Sequence, residues 1–507
     1  MIDRPNFVVI YCDDLGWGDV GCYDARSRIP TPHIDALAAQ GMRFTDAHSP
    51  SSICSPSRYA LMTGRYAWRT DRKAGNPAPG EQPWISPDRW TLASMFKHLG
   101  YDTAAVAKWG LGSDWQSAAK PGRQGRDISA DAIDYCQPVH SGRCIGFDYD
   151  DVHLWYANKY HETVYPCGRV PGAVEKIDGG RWFFENGMAY GGEPQFERFD
   201  MASAQIHYTR RACDYIDAKA GRVHRPQYHT HDGAPFFLFY APAMPHWPHT
   251  PTARFRGSTP LGYYGDYVAQ LDWAVGQVVE ALERNGLRDN TMVLLSTDHG
   301  AERQGYDLVA QHGHFSMGPW RGLKRDLWEG GHRAPFIISW PDRVPQGVVS
   351  ERLICHTDLF ATLAQFCGFD YPDDAGEDSY SFLDELIESY AVAHRRTSVI
   401  HHSCTGQLAL RDGDWVYIDN PSGDDHLGRG ENRRMQEPQW FRDMRGVTPH
   451  EQPYELFNLA EDPQELHNRH ADEPQLAAAM KQRLDAQVAA GRTAPAGVTL
   501  QGEPGEG

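Results

Sequence analysis

Up to about residue 365, short apolar runs alternate with stretches that repeat apolar residues every three or four positions. The runs NFVVIY (6–11), TAAVA (103–107), PFFLFY (235–240), TMVLLS (291–296) and PFIISW (335–340) predict buried strands. Between them, Ile34, Leu37 and Ala38 share a helical face that stops at Gly41, and Leu92, Met95, Phe96 and Leu99 share another that stops at Gly100. The longest helical pattern carries Val268, Leu271, Val275, Val278 and Leu282 and ends at Asn285-Gly286. Strands alternating with helices in this way predict an α/β fold on a mostly parallel sheet.

The rhythm breaks twice. Residues 115–230 have poor periodicity and many Gly, Tyr, Trp and His, and read as long loops and insertions over one face of the sheet, where specificity is usually set. From residue 396 the pattern becomes short alternating strands, SVIHH, QLALRDGDWVYI and YELFNL, followed by a helix with Leu476, Met480, Leu484 and Val488 at four-residue steps. The expected organisation is a catalytic α/β domain over 1–395, a C-terminal antiparallel sheet with its helix over 396–490, and a loose Gly- and Pro-rich tail over 491–507.

Composition narrows the function. The net charge of −18 leaves no overall basic footprint for nucleic acid, so an anionic substrate would need a local positive pocket. No run approaches the roughly 18 apolar residues that span a bilayer. The N-terminal stretch lacks the segments of a signal peptide, which places the chain in the cytoplasm as written, or in the periplasm or outside the cell if it begins at a trimmed mature start. Ten cysteines show no paired zinc spacing; a disulfide within Cys136 to Cys167 is open but not compelled.

Two of the predicted strands end in acidic clusters, Asp13-Asp14 and Asp298-His299. Carboxyl ends of parallel strands are where open α/β sheets place ligands, and three carboxylates gathered together repel unless a cation sits among them. A divalent metal is the economical reading. Cys54 stands in SSICSPSRYALMTGR (51–65), with Pro56 and Arg58 at fixed offsets.

Cys54-x-Pro56-x-Arg58 followed by Leu61-Met62-Thr63-Gly64-Arg65 resembles the signature of type I sulfatases, the formylglycine-dependent, arylsulfatase-like branch of the alkaline phosphatase superfamily. CDDLGWGDVGCY, TPHIDALAAQGMRFTDAHS, GYDTAAVAKWGLG, MPHWPHTP, LSTDHGA, RGLKRDLWEGGHRAPFIISWP, LALRDGDWVYI and YELFNLAEDPQE resemble sulfatase segments in the family's order, with 115–230 least matched. The resemblance implies a large mixed, mostly parallel sheet sandwiched by helices, with a smaller C-terminal antiparallel sheet plus helix. It implies a sulfuric ester hydrolase in which a maturing enzyme oxidises Cys54 to formylglycine, whose hydrated diol attacks sulfur. A diol splits the reaction in two, because its second hydroxyl can expel sulfate after the first has taken it.

By the same resemblance, Asp13, Asp14, Asp298, His299 and the converted Cys54 hold one divalent ion. Calcium is the expectation over magnesium, manganese or zinc, because oxygen donors dominate the set. Arg58 bonds the diol, Lys108 and Lys324 bind the sulfate group, and His246 contacts it and protonates the leaving alcohol. His249, His312 and His314 are candidate pocket residues, and His153, Trp155, Tyr156 and Lys159 suit stacking and hydrogen bonding to a sugar. The expected substrate is a carbohydrate sulfate, such as the 6-sulfate of a galactose-type sugar, or an aryl sulfate.

The chain departs from the family pattern at three positions. Gly110 stands where the family carries the histidine that helps deprotonate the diol, Ala107 replaces the glycine before the lysine, and His299 replaces a common asparagine. The Asp-His pair lends some weight to a phosphodiesterase or phosphonate monoester hydrolase on the same fold, although a two-metal enzyme needs more ligands. A binding protein with Cys54 unconverted is the remaining alternative.

Overall fold

The computed structural model describes residues 4–77, 81–122, 140–153, 183–185, 188–190, 201–228, 230–424 and 436–496. Trp155, Tyr156, Lys159, Cys136 and Cys167 lie outside them. The chain forms two compact units, each built from separate segments: Met1–Asp13, Asn76–Ser296 and Ile338–Gln346 in the first, and Asp14–Gly75, Thr297–Ile337 and Gly347–Gly507 in the second.

In the first unit the predicted runs become strands Asn6–Cys12, Asp102–Lys108 and Phe236–Ala241, every residue of them buried. Asn6–Cys12 pairs in parallel with Phe236–Ala241, which pairs in parallel with Asp102–Lys108, which in turn pairs in parallel with Tyr149–His153. Phe183–Glu185 and Met188–Tyr190 add antiparallel strands beyond, making the sheet mixed but mostly parallel. Strands buried on both faces carry no alternation, which is why they read as unbroken apolar runs. Helix Leu92–His98 packs Phe96 on Phe237 of the central strand, ring centroids 4.7 Å apart.

In the first unit the sequence pattern gives no sign of one helix. Met201–Lys219 lies within the stretch expected to be loops. It buries Ala204, Tyr208, Ala212, Tyr215 and Ile216, a regular helical spacing. Two of these five are tyrosines, whose hydroxyls make the stripe look polar in the sequence.

In the second unit, Val348–Ser350 pairs in parallel with Met42–Phe44, and Ile354–Cys355 with Ala47–His48. The C-terminal strands form the expected antiparallel four-stranded sheet, from Ser398–His402 through Leu408–Asp412 and Trp415–Ile418 to Glu455–Asn458. Helix Pro474–Ala489 closes it with Ala477, Met480 and Leu484 in a core shared with Ile400, Leu410 and Tyr417. Val488, expected on that face, is 36% exposed, because the face ends a turn earlier.

The glycine-to-alanine departure proves larger than the residue types suggest. Ala107 has φ of +84°, the left-handed region that L side chains enter at a cost. Ala107→Gly is expected to raise stability by about 0.5–1 kcal/mol, the relief of strain exceeding the extra chain entropy. A thermal melt of the two proteins checks it; an unchanged or lower Tm would show the strain to be absorbed elsewhere. Gly110, with φ of +74°, sits in the same region, so the backbone there suits glycine rather than the family's histidine.

Buried histidines make the second unit acid-sensitive. Burial pushes His402 down to about 4, and burial together with His48 pushes His356 down to about 3. Below the ordinary value of 6.5 the unfolded chain binds protons that the folded chain refuses, so stability is full above 6.5 and falls as pH drops toward these values. Each group contributes a slope of about 1.4 kcal/mol per pH unit within its window. Urea midpoints between pH 7.5 and 5 should show a decline that flattens in His356→Gln.

Candidate active site

Cys54 is the first residue of a ten-residue helix, Cys54–Thr63, all of it buried. Pro56 is tolerated because it lies in the first turn, where amide hydrogens have no helical partner. Ser57 Oγ donates to Ile53 O at 2.9 Å and shares a 2.7 Å bond with Ser49 Oγ, fixing the entry loop. Gly64 ends the helix with φ of +66°, and a Cβ there would lie 2.9 Å from Phe360 Cβ. The helix therefore presents its positive N-terminal end at Cys54, a favourable place for negative charge to develop.

Around this helix the second unit gathers Asp14, Arg58, Asp298, His299 and Lys324, all buried. Cys54 Sγ lies 3.0 Å from His299 Nε2. Arg58 donates from Nε and Nη2 to Asp298 Oδ2 at 3.1 and 2.9 Å. Lys324 Nζ donates to Asp14 Oδ1 at 2.7 Å. His299 Nδ1 faces its neighbour's carbonyl, Gly300 O, at 2.9 Å, so that nitrogen carries the proton. Its Nε2 lone pair then points toward Asp14 Oδ1 at 3.5 Å and Asp298 Oδ1 at 3.4 Å.

Two carboxylates, an imidazole nitrogen and the Cys54 sulfur converge there, and gathered carboxylates repel unless a cation sits among them. Cys54, Asp298 and His299 each offer a ligand atom within 4.8 Å of the others. This donor set fits a divalent ion, which Asp14, Asp298 and His299 are placed to hold, with the proton on His299 Nδ1 leaving Nε2 as the ligating nitrogen.

In the first unit, Asp13 follows strand Asn6–Cys12 and is paired with Lys108, the last residue of its own strand. Both are buried. His246 and Asp13 each offer a ligand atom within 4.8 Å, and His246 Nδ1 donates to Trp247 O at 2.5 Å.

The remaining candidates are placed otherwise. His249 packs edge-on against Tyr264, ring centroids 5.2 Å apart. His312 ends helix Gln304–His312, and its carbonyl accepts from Arg28 Nη1 at 2.7 Å. His314, expected as a pocket residue, is 1% exposed; Nε2 lies 2.8 Å from Asp19 Oδ1, and Arg28 N approaches Nδ1 at 3.5 Å. Both its ring nitrogens therefore face partners within the protein. His153 closes strand Tyr149–His153, in register with Lys108.

The sulfatase family model matches residues 5–369. The chain belongs to the sulfatase family. It is 30% identical to the N-acetylgalactosamine-6-O-sulfatase of Bacteroides thetaiotaomicron over 95% of this chain and 93% of that one. It is likewise 30% identical to the steryl-sulfatase of Rattus norvegicus, over 91% and 84%. A solved structure described under the metabolism of multiple glycosaminoglycans by Bacteroides thetaiotaomicron superposes with a TM-score of 0.75 at 26% identity, covering 96% of this chain and all of that one. This sulfatase is a sulfuric ester hydrolase. No helix among its described residues is long and apolar enough to cross a membrane.

The sulfatase also carries site residues that sequence reasoning missed. Glu302 lies 3.4 Å from Lys324 Nζ and forms a two-pronged pair with Arg325 at 2.5 and 2.9 Å. Burial would lift Glu302, but Arg325 and Lys324 outweigh it and hold the carboxyl well below the usual range. Burial would likewise lower Lys324, yet Asp14, Cys54 and Glu302 hold it well above, so its ammonium stays charged. The signal was present as an acid just after the Asp298-His299 pair, but no spacing rule ties it to a lysine some twenty residues on.

Proposed function

We propose that this sulfatase removes the 6-sulfate of a galactose-type sugar in a sulfated glycan, with Cys54 oxidised to formylglycine by a maturing enzyme. The support that carries the substrate class is the similarity, over nearly the whole of both chains, to a relative named for N-acetylgalactosamine 6-O-sulfate. Conversion of Cys54 is supported by its place at the buried helix N-terminus beside Arg58 and the Asp14, Asp298 and His299 donors.

Hydrated formylglycine carries two hydroxyls on one carbon. One gives its proton to water as its oxygen bonds to sulfur, the bond from sulfur to the sugar oxygen breaks with its electrons going to that oxygen, and His246 gives that oxygen its proton. The second hydroxyl then loses its proton, the carbon–oxygen bond to sulfate breaks with its electrons going to sulfate, and the aldehyde is restored. Lys108 and Lys324 meet the negative charge of the transferring group. Arg58 orients the diol while its bonds to Asp298 keep that carboxylate in place. A divalent ion at Asp14, Asp298 and His299, joined in the family pattern by Asp13, would polarise the sulfate oxygens; calcium is the proposed ion, since carboxylate oxygens outnumber nitrogen.

Two measurements test the reading. The peptide holding Cys54, isolated from active protein, should be about 18 Da lighter than its unmodified mass. Free sulfate released from N-acetylgalactosamine 6-sulfate, galactose 6-sulfate, glucosamine 6-sulfate, a steryl sulfate and an aryl sulfate should be highest for the first two. Preference for the steryl or aryl ester would overturn the glycan assignment, and an unmodified Cys54 in active material would overturn the nucleophile.

A further inference from the structure

A second cluster in the second unit has the marks of a metal centre and plays no part in the chemistry above. His48, His332 and His401, buried and far apart in sequence, each offer a ring nitrogen within 4.8 Å of the others. What distinguishes them from ordinary packed histidines is the partner on the outer side of each ring. His48 Nε2 lies 2.8 Å from Asp46 Oδ1, His332 Nε2 lies 3.0 Å from Leu327 O, and His401 Nδ1 lies 3.2 Å from Ser49 O. These three partners are acceptors, which places the proton on His332 Nε2 and His401 Nδ1; at His48 Nε2 the Asp46 carboxylate favours a proton, while Arg411 Nη1 approaches the same nitrogen as a donor.

With the His48 proton on Nε2, the inner nitrogens are bare. His48 Nδ1 and His332 Nδ1 face each other at 3.1 Å, and His401 Nε2 is buried with no hydrogen-bond partner. Two opposed lone pairs at that distance repel, and a third buried one goes unanswered. A proton on His48 Nδ1 would relieve the first contact, with Arg411 Nη1, 3.0 Å from His48 Nε2, as donor on the other side. That arrangement would aim the His48 lone pair at the Asp46 carboxylate, and it leaves His401 Nε2 unanswered. Imidazoles whose outer N–H is held by a carboxylate or a carbonyl are the arrangement of ligating histidines.

The surroundings are charge-balanced. Asp46 pairs with Arg411 and Arg333, and Glu329 pairs with Arg333. Glu329 Oε1 is also buried without a partner, and its Oε2 lies 3.9 Å from His48 Nε2. His332 and His401 stack at 3.5 Å with an interplanar angle of 10°, so capture of an ion requires one ring to tilt.

We propose that His48, His332 and His401 form a second metal site, selective for a borderline ion of the zinc class and distinct from the oxygen-rich site at Asp14 and Asp298. Three imidazoles suit zinc and its neighbours and are poor ligands for calcium. Because His48 lies in the segment leading to Cys54 while His332 and His401 come from two later segments, the ion would tie together three parts of the second unit.

The test uses the full chain, stripped with a chelator and given zinc alone or cobalt(II) alone. Wild type and Asp298→Asn should each retain one equivalent of zinc that His401→Ala and His401→Gln lose. The cobalt form should show the visible bands of nitrogen ligation, and zinc should raise the Tm of wild type but not of the two His401 variants. In wild-type crystals soaked with zinc, the anomalous peak should fall among the three rings, a readout that does not depend on the variants folding. No retained zinc, equal zinc in the His401 variants, loss in Asp298→Asn alone, or a peak elsewhere would each overturn the site.

Discussion

Cys54→Ala is expected to lower kcat/KM for a sulfate ester by on the order of 10⁴-fold or more while leaving the fold in place. The side chain removed is small and buried at the start of helix Cys54–Thr63, and alanine is at least as good a helix former, so the loss in stability should stay near 1 kcal/mol. The activity loss is large because the attacking oxygen, the group that later expels sulfate, and one contact of the proposed ion all disappear together. The measurement is sulfate release alongside a thermal melt. Residual activity within tenfold of wild type, in folded protein, would remove Cys54 from the chemistry.

The second large effect concerns Asp298. In Asp298→Ala, Arg58 loses both hydrogen bonds to Oδ2 while its guanidinium stays fully buried, and breaking a buried pair on one side costs about 3–5 kcal/mol. Activity should fall as well, because His299 Nε2 loses one of its two carboxylate neighbours and the proposed ion loses a ligand. Urea unfolding of Asp298→Ala, Arg58→Met and the double variant separates the two consequences. The double variant should be markedly more stable than the sum of the singles implies, since no buried charge is left unanswered. Additive losses would mean that the pair contributes nothing beyond its separate contacts.

The strands were legible because a strand buried on both faces needs nothing but apolar residues. Asn6–Cys12, Asp102–Lys108 and Phe236–Ala241 are such cases, and the acids that end Asn6–Cys12 and Thr291–Thr297 could be placed without coordinates. The Cys54 helix was not legible as a helix. It is buried all round yet contains Ser55, Ser57, Arg58 and Thr63, whose burial is offset by distant partners such as Asp298. Met201–Lys219 escaped notice for a related reason, since tyrosines that bury their rings look polar in a sequence. For His314 the sequence shows two histidines ahead of a lysine, and only the structure places Asp19 and Arg28 against its ring.

The sequence by itself determined the α/β architecture, the family and the residue types of the site, because burial patterns and motif spacing are properties of neighbours along the chain. Only the tertiary structure decided which charges pair, Asp14 with Lys324, Arg58 with Asp298 and Glu302 with Arg325. It alone revealed that Ala107 has a left-handed backbone and that His48, His332 and His401 bring their rings together. Pairing energies and tautomers depend on distances between atoms tens to hundreds of residues apart in the chain, and a backbone angle depends on the packing around it; linear order carries no record of either.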